Sequence, residues 1–216
     1  MNLSFRKSSD PLPEVPVQVV LASQSLGRRL LLEKLGIPFR VVISRIDEEA
    51  IKHPQPIKTV QKRATAKLDD VIGNPRVYNL PAEGKFLIIA ADSMGILGKK
   101  TFGKSRDREH TKEILKVLMG KTHSFATAVA IGLIDNGKEK KRWEKVVQTR
   151  VTLRKMPPTE VESFVTRFDL ARFAAGFALN ETPWDLVTKI EGSYTNVIGL
   201  PFEVLLPVLR LHKIIT

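Results

Sequence analysis

The sequence predicts an α/β fold in which helices flank a mixed, twisted central sheet. Three features carry that expectation: Val-rich apolar runs without polar interruption, helical segments between them, and two long runs joined at Asp135-Asn136-Gly137. Uninterrupted apolar runs suit strands buried on both faces, as in parallel sheets, whereas an Asn-Gly or Asp-Gly turn joins antiparallel neighbours. Both kinds in one chain require a mixed sheet.

Residues 17–23, VQVVLAS, read as a buried strand, and SQSLGRRLLLEKLG as a helix opened by Ser and closed by Gly36. IPFRVVI resumes a strand, IDEEA is an acidic loop, and TVQKRATAKLDDVI, residues 59–72, has helical spacing with basic residues between the apolar ones. NPRVYNLPAEG is a loop by composition, and FLIIAAD, residues 86–92, is the most apolar strand of the chain. REHTKEILKVLM is a helix closed by Gly120, after which the hairpin runs from THSF to TLRKM. PPTEVESFVTRF begins a helix with Pro, and LPFEVLLPVLRLHKI supplies the last one.

At 216 residues and 43% hydrophobic content, the chain can bury one sizeable core or two lobes sharing a sheet. The boundaries read as a flexible polar arm at residues 1–16 and one domain at 17–216. The absence of cysteine excludes disulfides and thiolate chemistry and is compatible with a cytoplasmic location. The early basic residues of the N-terminus precede no apolar h-region, and no apolar run approaches spanning length, so no membrane role is expected. A formal charge of +12, from 35 Lys+Arg against 23 Asp+Glu, suits an anionic partner.

GKKTFGKS, residues 98–105, matches the phosphate-loop pattern G-x-x-x-x-G-K-[ST] in full. A true phosphate loop opens directly into a helix, but here seven polar residues, RDREHTK, follow, and Asp107 is the better N-cap. The one candidate for a second, magnesium-binding acid, Asp135, stands in the hairpin turn. Lys104 therefore reads as a turn lysine unless other segments bring it to an anion.

LASQSLGRR offers such a segment. Ser23, Ser25 and the Arg28-Arg29 pair at a helix start could cradle an oxyanion, or Ser25 could simply cap a helix with surface arginines. In order along the chain come Asp47 and Glu48 in SRIDEEA, Lys67 in RATAKL, Asp92 in IIAADS, Gly103 and Lys104, GKTHSFAT, and EGSYTNVIGLP. Their order and spacing over residues 17–211 resemble the Maf-like nucleoside triphosphate pyrophosphatases, also called septum formation inhibitor proteins. SQSLGRR has the longer Ser-to-Arg spacing of one subgroup.

The resemblance implies two lobes with an intervening cleft, an ITPase/Maf-like arrangement, and hydrolysis of a nucleoside triphosphate to the monophosphate and pyrophosphate. It assigns Asp92 as general base or metal ligand, Glu48 as a second ligand for Mg²⁺ or Mn²⁺, and Ser23, Ser25, Arg28, Arg29, Lys67 and Lys104 to the triphosphate. Asp92 is expected at the carboxyl end of its strand, where clefts of open α/β sheets lie. The resemblance also implies a homodimer. Asn196 is open between a turn and a site role, and His53, His110, His123 and His212 are too scattered for a metal pair.

Leu26 and Ser105 stand where the family has prolines. At the three positions where subgroups choose their base, this chain has Gly27, Ser93 and Asn180, a set that matches no subgroup, so base preference is not carried over. Two other readings follow from the residues. These departures suit a catalytically weak nucleotide binder acting through a partner, while KEKKRWEK, residues 138–145, suits either RNA or a solvated hairpin tip, the plainer choice.

Overall fold

Local sequence explains most element boundaries. The computed structural model describes residues 16–180 and 184–216, so the expected N-terminal arm falls, apart from Pro16, outside the described residues. The chain runs β1 (Val17–Ala22), α1 (Leu26–Lys34), β2 (Phe39–Val42), α2 (Pro56–Gly73), β3 (Lys85–Leu97), β4 (Lys100–Phe102) and α3 (Arg108–Leu118). It continues through β5 (Thr122–Asp135), β6 (Lys138–Leu153), α4 (Pro158–Arg167), β7 (Val187–Glu191), α5 (Tyr194–Ile198) and α6 (Phe202–Leu211). Proline sits in the first turn of α2 and α4, where its missing N–H is not needed. Asp107 caps α3 by accepting the His110 amide at 2.8 Å. Asn136 and Gly137, at φ 49° and 72°, make the tight turn between β5 and β6.

The sheet has seven strands in the order β2-β1-β3-β5-β6-β7, with β4 on β3. β1 is parallel to both β2 and β3, and the remaining pairs are antiparallel. The mixed sheet expected from the apolar runs and the hairpin is therefore present, with helices on both faces. Alternation along the central strands assigns each face: Val20, Ala22, Ile88 and Ala90 meet α2 through Val60, Ala64, Leu68 and Val71. Val19, Leu21, Leu87 and Ile89 meet α1 and α6 through Leu31, Leu32, Leu205 and Leu209. A third cluster, including Phe125, Leu115, Leu153 and Val165, is built by α3, α4 and the far ends of β5 and β6.

One expectation is corrected. The strand expected to end at Asp92 runs on to Leu97, so Asp92 lies in its interior rather than at its carboxyl end. Pairing explains why a cleft still opens there. β1 pairs with β3 only as far as Ala22 opposite Ala90, and β4 joins β3 only at Gly95 opposite Phe102. β5 covers the other edge throughout. Residues 91–94 thus have a strand on one side and a gap in the sheet on the other, and the gap divides the α1/α2 half of the fold from the α3/α4 half.

Asn196 ties the two sides together beside that gap. It is fully buried, and its Nδ2 donates to the Phe125 carbonyl and to Thr149 Oγ1, each at 3.0 Å, while its backbone carbonyl accepts from Thr127 Oγ1 at 3.0 Å. These bonds give it a structural position in the core. Because the Phe125 carbonyl and Thr149 Oγ1 would each lose a buried donor, Asn196→Ala is expected to lower unfolding free energy by about 1–3 kcal/mol, measured by urea denaturation.

Candidate active site

Lys67 is the hub. Alternation along β3 turns Asp92 toward α2, on the same face as Ile88 and Ala90, and Lys67 projects from α2 to meet it. Its Nζ lies 2.9 Å from Asp92 Oδ1 and 2.7 Å from Glu48 Oε2, and it donates to the Ala91 carbonyl at 3.3 Å. An ammonium has three donors, so every one is used. Asp92 Oδ2, by contrast, is buried and has no hydrogen-bond partner among the described residues. Burial raises the Asp92 pKa above the usual carboxylate value, against the opposing pull of Lys67 and Arg28. Burial pushes Glu48 the same way, but Lys67, then Lys104 and Arg28, outweigh it and hold Glu48 below its ordinary value.

Arg28 braces the opposite wall. Its Nε donates to the Gly199 carbonyl at 2.8 Å, Nη1 to Ser23 Oγ at 2.9 Å, and Nη2 to Ser93 Oγ at 2.9 Å. Ser93 is also 2.9 Å from Thr127 Oγ1, and Ser23 Oγ accepts the Ser25 amide at 3.2 Å. One guanidinium therefore joins α1, β3 and the turn after α5. Burial lowers its pKa, against the pull of Asp92 and Glu48, but guanidinium stays charged at any working pH, so the wall is permanently cationic. Ser25 makes no side-chain cap bond to the first turn of α1, whose amides add positive potential at the same place.

The third cation comes from the GKKTFGKS stretch, though not as a phosphate loop. The Ser105 amide donates to the Ala171 carbonyl at 3.1 Å, and the Ala175 amide donates to the Gly103 carbonyl at 3.0 Å. The backbone that would cradle phosphate is thus engaged with residues 171–175, and α3 starts beyond Ser105 at Arg108. Lys104 stands at the mouth of the cleft, where partial burial and the neighbouring Arg28 lower its pKa. The same strap carries Phe173 and Phe177 into the cleft, where they join Phe125, Val197 and Ile198 as an apolar wall facing the charged floor. A Cβ at Gly95 would come within 2.8 Å of the Ala175 Cβ, so the strap lies directly on β3 because that residue is glycine.

Comparison with known proteins places this arrangement. The Maf-like protein family matches residues 18–212. The chain belongs to the Maf-like family. It is 36% identical over 192 residues to a nucleoside triphosphate pyrophosphatase of Synechococcus sp. (strain JA-3-3Ab), covering 89% of this chain and 90% of the relative. It is 33% identical over 192 residues to a dTTP/UTP pyrophosphatase of Geobacter sp. (strain M21), covering 89% and 94%. A dTTP/UTP pyrophosphatase of Pyrococcus furiosus is 32% identical over 200 residues, covering 91% and 97%.

Of the residues that the Maf-like resemblance singled out, Ser23, Ser25, Gly27, Arg28, Glu48, Lys67, Asp92, Ser93, Lys104 and Asn180 all line this one cleft. Arg29 does not. Its Nε pairs with Glu33 Oε1 at 2.8 Å on the outer face, with 58% of the side chain exposed. Successive helical residues point about 100° apart, so the wall could take only one arginine of the pair. Gly27 is buried against the Ile198 carbonyl, which a Cβ there would meet at 2.8 Å, and Ser93 is engaged with Arg28 and Thr127, which leaves Asn180 as the exposed member of that trio. Sequence reasoning missed Arg63, Arg172 and the three phenylalanines, which also line the cleft. Only Arg63 left a signal, one helical turn before Lys67.

The donors suit a hard divalent cation. Glu48 and Asp92 flank Lys67, and one buried Asp92 oxygen lacks a partner. No group of three or more His, Cys, Asp or Glu that could hold a metal occurs among the described residues. Mg²⁺ is commonly held by one or two carboxylates together with substrate phosphates, which this pair can supply. Among the described residues no helix is long and apolar enough to cross a membrane. Trp143, in the basic hairpin, lies at a steep angle to His212 with ring centroids 5.6 Å apart, has Lys141 Nζ 5.2 Å from its centroid, and packs partly buried against the α1/α6 core.

His123 sits behind the apolar wall, with its ring edge-on to Phe177 at 5.6 Å. It is 2% exposed, and neither ring nitrogen has a hydrogen-bond partner among the described residues. Burial lowers its pKa from 6.5 to about 4. The unfolded chain therefore takes a proton as pH falls through 6.5 while the folded chain resists until about 4, so stability is lost over that window. The loss corresponds to roughly 3 kcal/mol. Melting temperature is expected to fall more steeply between pH 6.5 and 4 in the wild type than in His123→Leu, as followed by circular dichroism.

Proposed function

We propose that this protein hydrolyses a nucleoside triphosphate between its α and β phosphates, releasing the monophosphate and pyrophosphate, with Asp92 as general base and with Mg²⁺ or Mn²⁺ held by Glu48 together with the substrate phosphates. The observation that carries the proposal is the partnerless Asp92 oxygen on the floor of a cation-lined gap, whose second oxygen is pinned by Lys67. Two of the three relatives cited carry the name dTTP/UTP pyrophosphatase, which supports a uracil or thymine base.

In this scheme the triphosphate enters between Lys104, Lys67 and Arg28 and the α1 N-terminus, with the base toward Phe125, Phe173, Phe177 and Asn180. Water attacks the α phosphorus, Asp92 Oδ2 accepts its proton, and pyrophosphate leaves. Burial serves this role, because a carboxylate with a raised pKa is a better base at neutral pH than an ordinary aspartate. Lys67 keeps the carboxylate oriented, and the fixed cations stabilise the charge that builds on the phosphate oxygens. The chemistry that a divalent ion supplies there is further neutralisation of those oxygens.

A panel of UTP, dTTP, CTP, GTP and ATP with Mg²⁺ or Mn²⁺, assayed for pyrophosphate release, tests the reading. Asp92→Asn is expected to lower kcat by about 10²–10⁴-fold. Arg28→Ala is expected to impair turnover strongly, whereas Arg29→Ala stays within about twofold of the wild type, as for a surface substitution. Release that survives Asp92→Asn would remove Asp92 from the mechanism. Nucleotide-induced thermal stabilisation without release would leave nucleotide binding alone.

A further inference from the structure

Arg63 takes no part in the scheme above, yet it is 8% exposed and lines the same cleft from the turn of α2 before Lys67. Its contacts run to one place. Nε donates to the Ile51 carbonyl at 3.1 Å, and Nη2 lies 3.4 Å from Glu49 Oε2. Both partners belong to the acidic turn that contains Glu48. That turn holds its own shape locally: Asp47 Oδ1 accepts the Glu49 and Ala50 amides at 3.0 and 3.3 Å, and the Ile51 amide donates to the Glu48 carbonyl at 3.2 Å. Those bonds do not hold it against the body of the protein. Among the described contacts of residues 47–51, its side-chain ties to α2 are Lys67 with Glu48, and Arg63 with Ile51 and Glu49.

We infer that Arg63 is a positioning residue for Glu48, clamping the acidic turn onto α2 so that the Glu48 carboxylate faces Asp92 across Lys67. The inference rests on the reading of Glu48 as a metal ligand. The two halves of the clamp differ in weight. Glu49 is 83% exposed in its side chain, and exposed ion pairs contribute little, whereas a charged guanidinium on a backbone carbonyl forms a stronger, charge-assisted bond. The Ile51 contact therefore carries the clamp. Lys67 cannot replace it, since its three donors are already used.

The test is Mn²⁺ binding to the nucleotide-free protein, read from the electron paramagnetic resonance signal of free Mn²⁺. Arg63→Leu is expected to weaken binding by at least about tenfold, as loss of a group that orients a ligand does, with Arg63→Lys weaker in effect and Glu49→Gln close to the wild type. In turnover, Arg63→Leu should raise the Mn²⁺ concentration for half-maximal rate, with KM for nucleotide at saturating Mn²⁺ unchanged. If Arg63→Leu does not fold, Arg63→Lys takes its place, because it keeps the charge but loses the fork. Wild-type Mn²⁺ affinity in the Arg63 variants overturns the clamp. So does a raised KM at saturating Mn²⁺ with Mn²⁺ binding intact, which would make Arg63 a direct phosphate contact. Glu48→Gln separates the two readings. If it binds Mn²⁺ as the wild type does, the metal-site reading falls and the clamp with it; if it binds weakly while Arg63→Leu does not, only the clamp falls.

Discussion

Everything around the cleft depends on an ammonium placed where two carboxylates can share it. Lys67 is buried, and a buried cation without partners would be expelled or neutralised. Its position holds because Asp92, Glu48 and the Ala91 carbonyl each take one donor. The arrangement is not a device for stability, since a hydrophobic set of similar volume could do as well. What it achieves is an oriented Asp92 with one oxygen left open, in a place from which bulk water is largely excluded.

The sheet makes room for that cluster by leaving β3 half-covered. Were β1 longer, or β4 earlier, the edge at residues 91–94 would be filled by backbone pairing. The space goes instead to side chains from both halves of the fold, and Arg28 spans it with bonds to Ser23, Ser93 and Gly199. Charge and geometry are thus carried by the same group. The segment at residues 171–175 closes the other side by pairing with residues 103–105, which also explains why Lys104 belongs to the cleft without a phosphate loop.

Much of the fold was legible because it rests on short-range rules. The buried strand at residues 17–22, the Asp107 cap, the Pro-started α4 and the hairpin at Asn136 and Gly137 follow from periodicity, capping and turn chemistry. The end of β3 was not legible. Ser93 and Gly95 carry no strand signal of their own that would join SMGIL to the run ending at Asp92, but β5 pairs with that stretch through Ile96 and keeps it extended. Likewise Arg28 and Arg29 are equivalent in sequence, and only the rotation of α1 relative to β3 and Gly199 chooses between them.

By itself the sequence determined the mixed α/β class and the rejection of the phosphate loop, because each depends on neighbours within a few residues, while the set of separated charged segments was singled out by its collinear resemblance to the Maf-like family. Tertiary structure alone decided which of those charges converge, that Gly27 is a packing residue and Asn196 a core tie, and that three phenylalanines face the charged floor. Those outcomes depend on strand register and helix rotation, which bring together residues as far apart as Ser23 and Asn180. No local pattern encodes a distance of that kind.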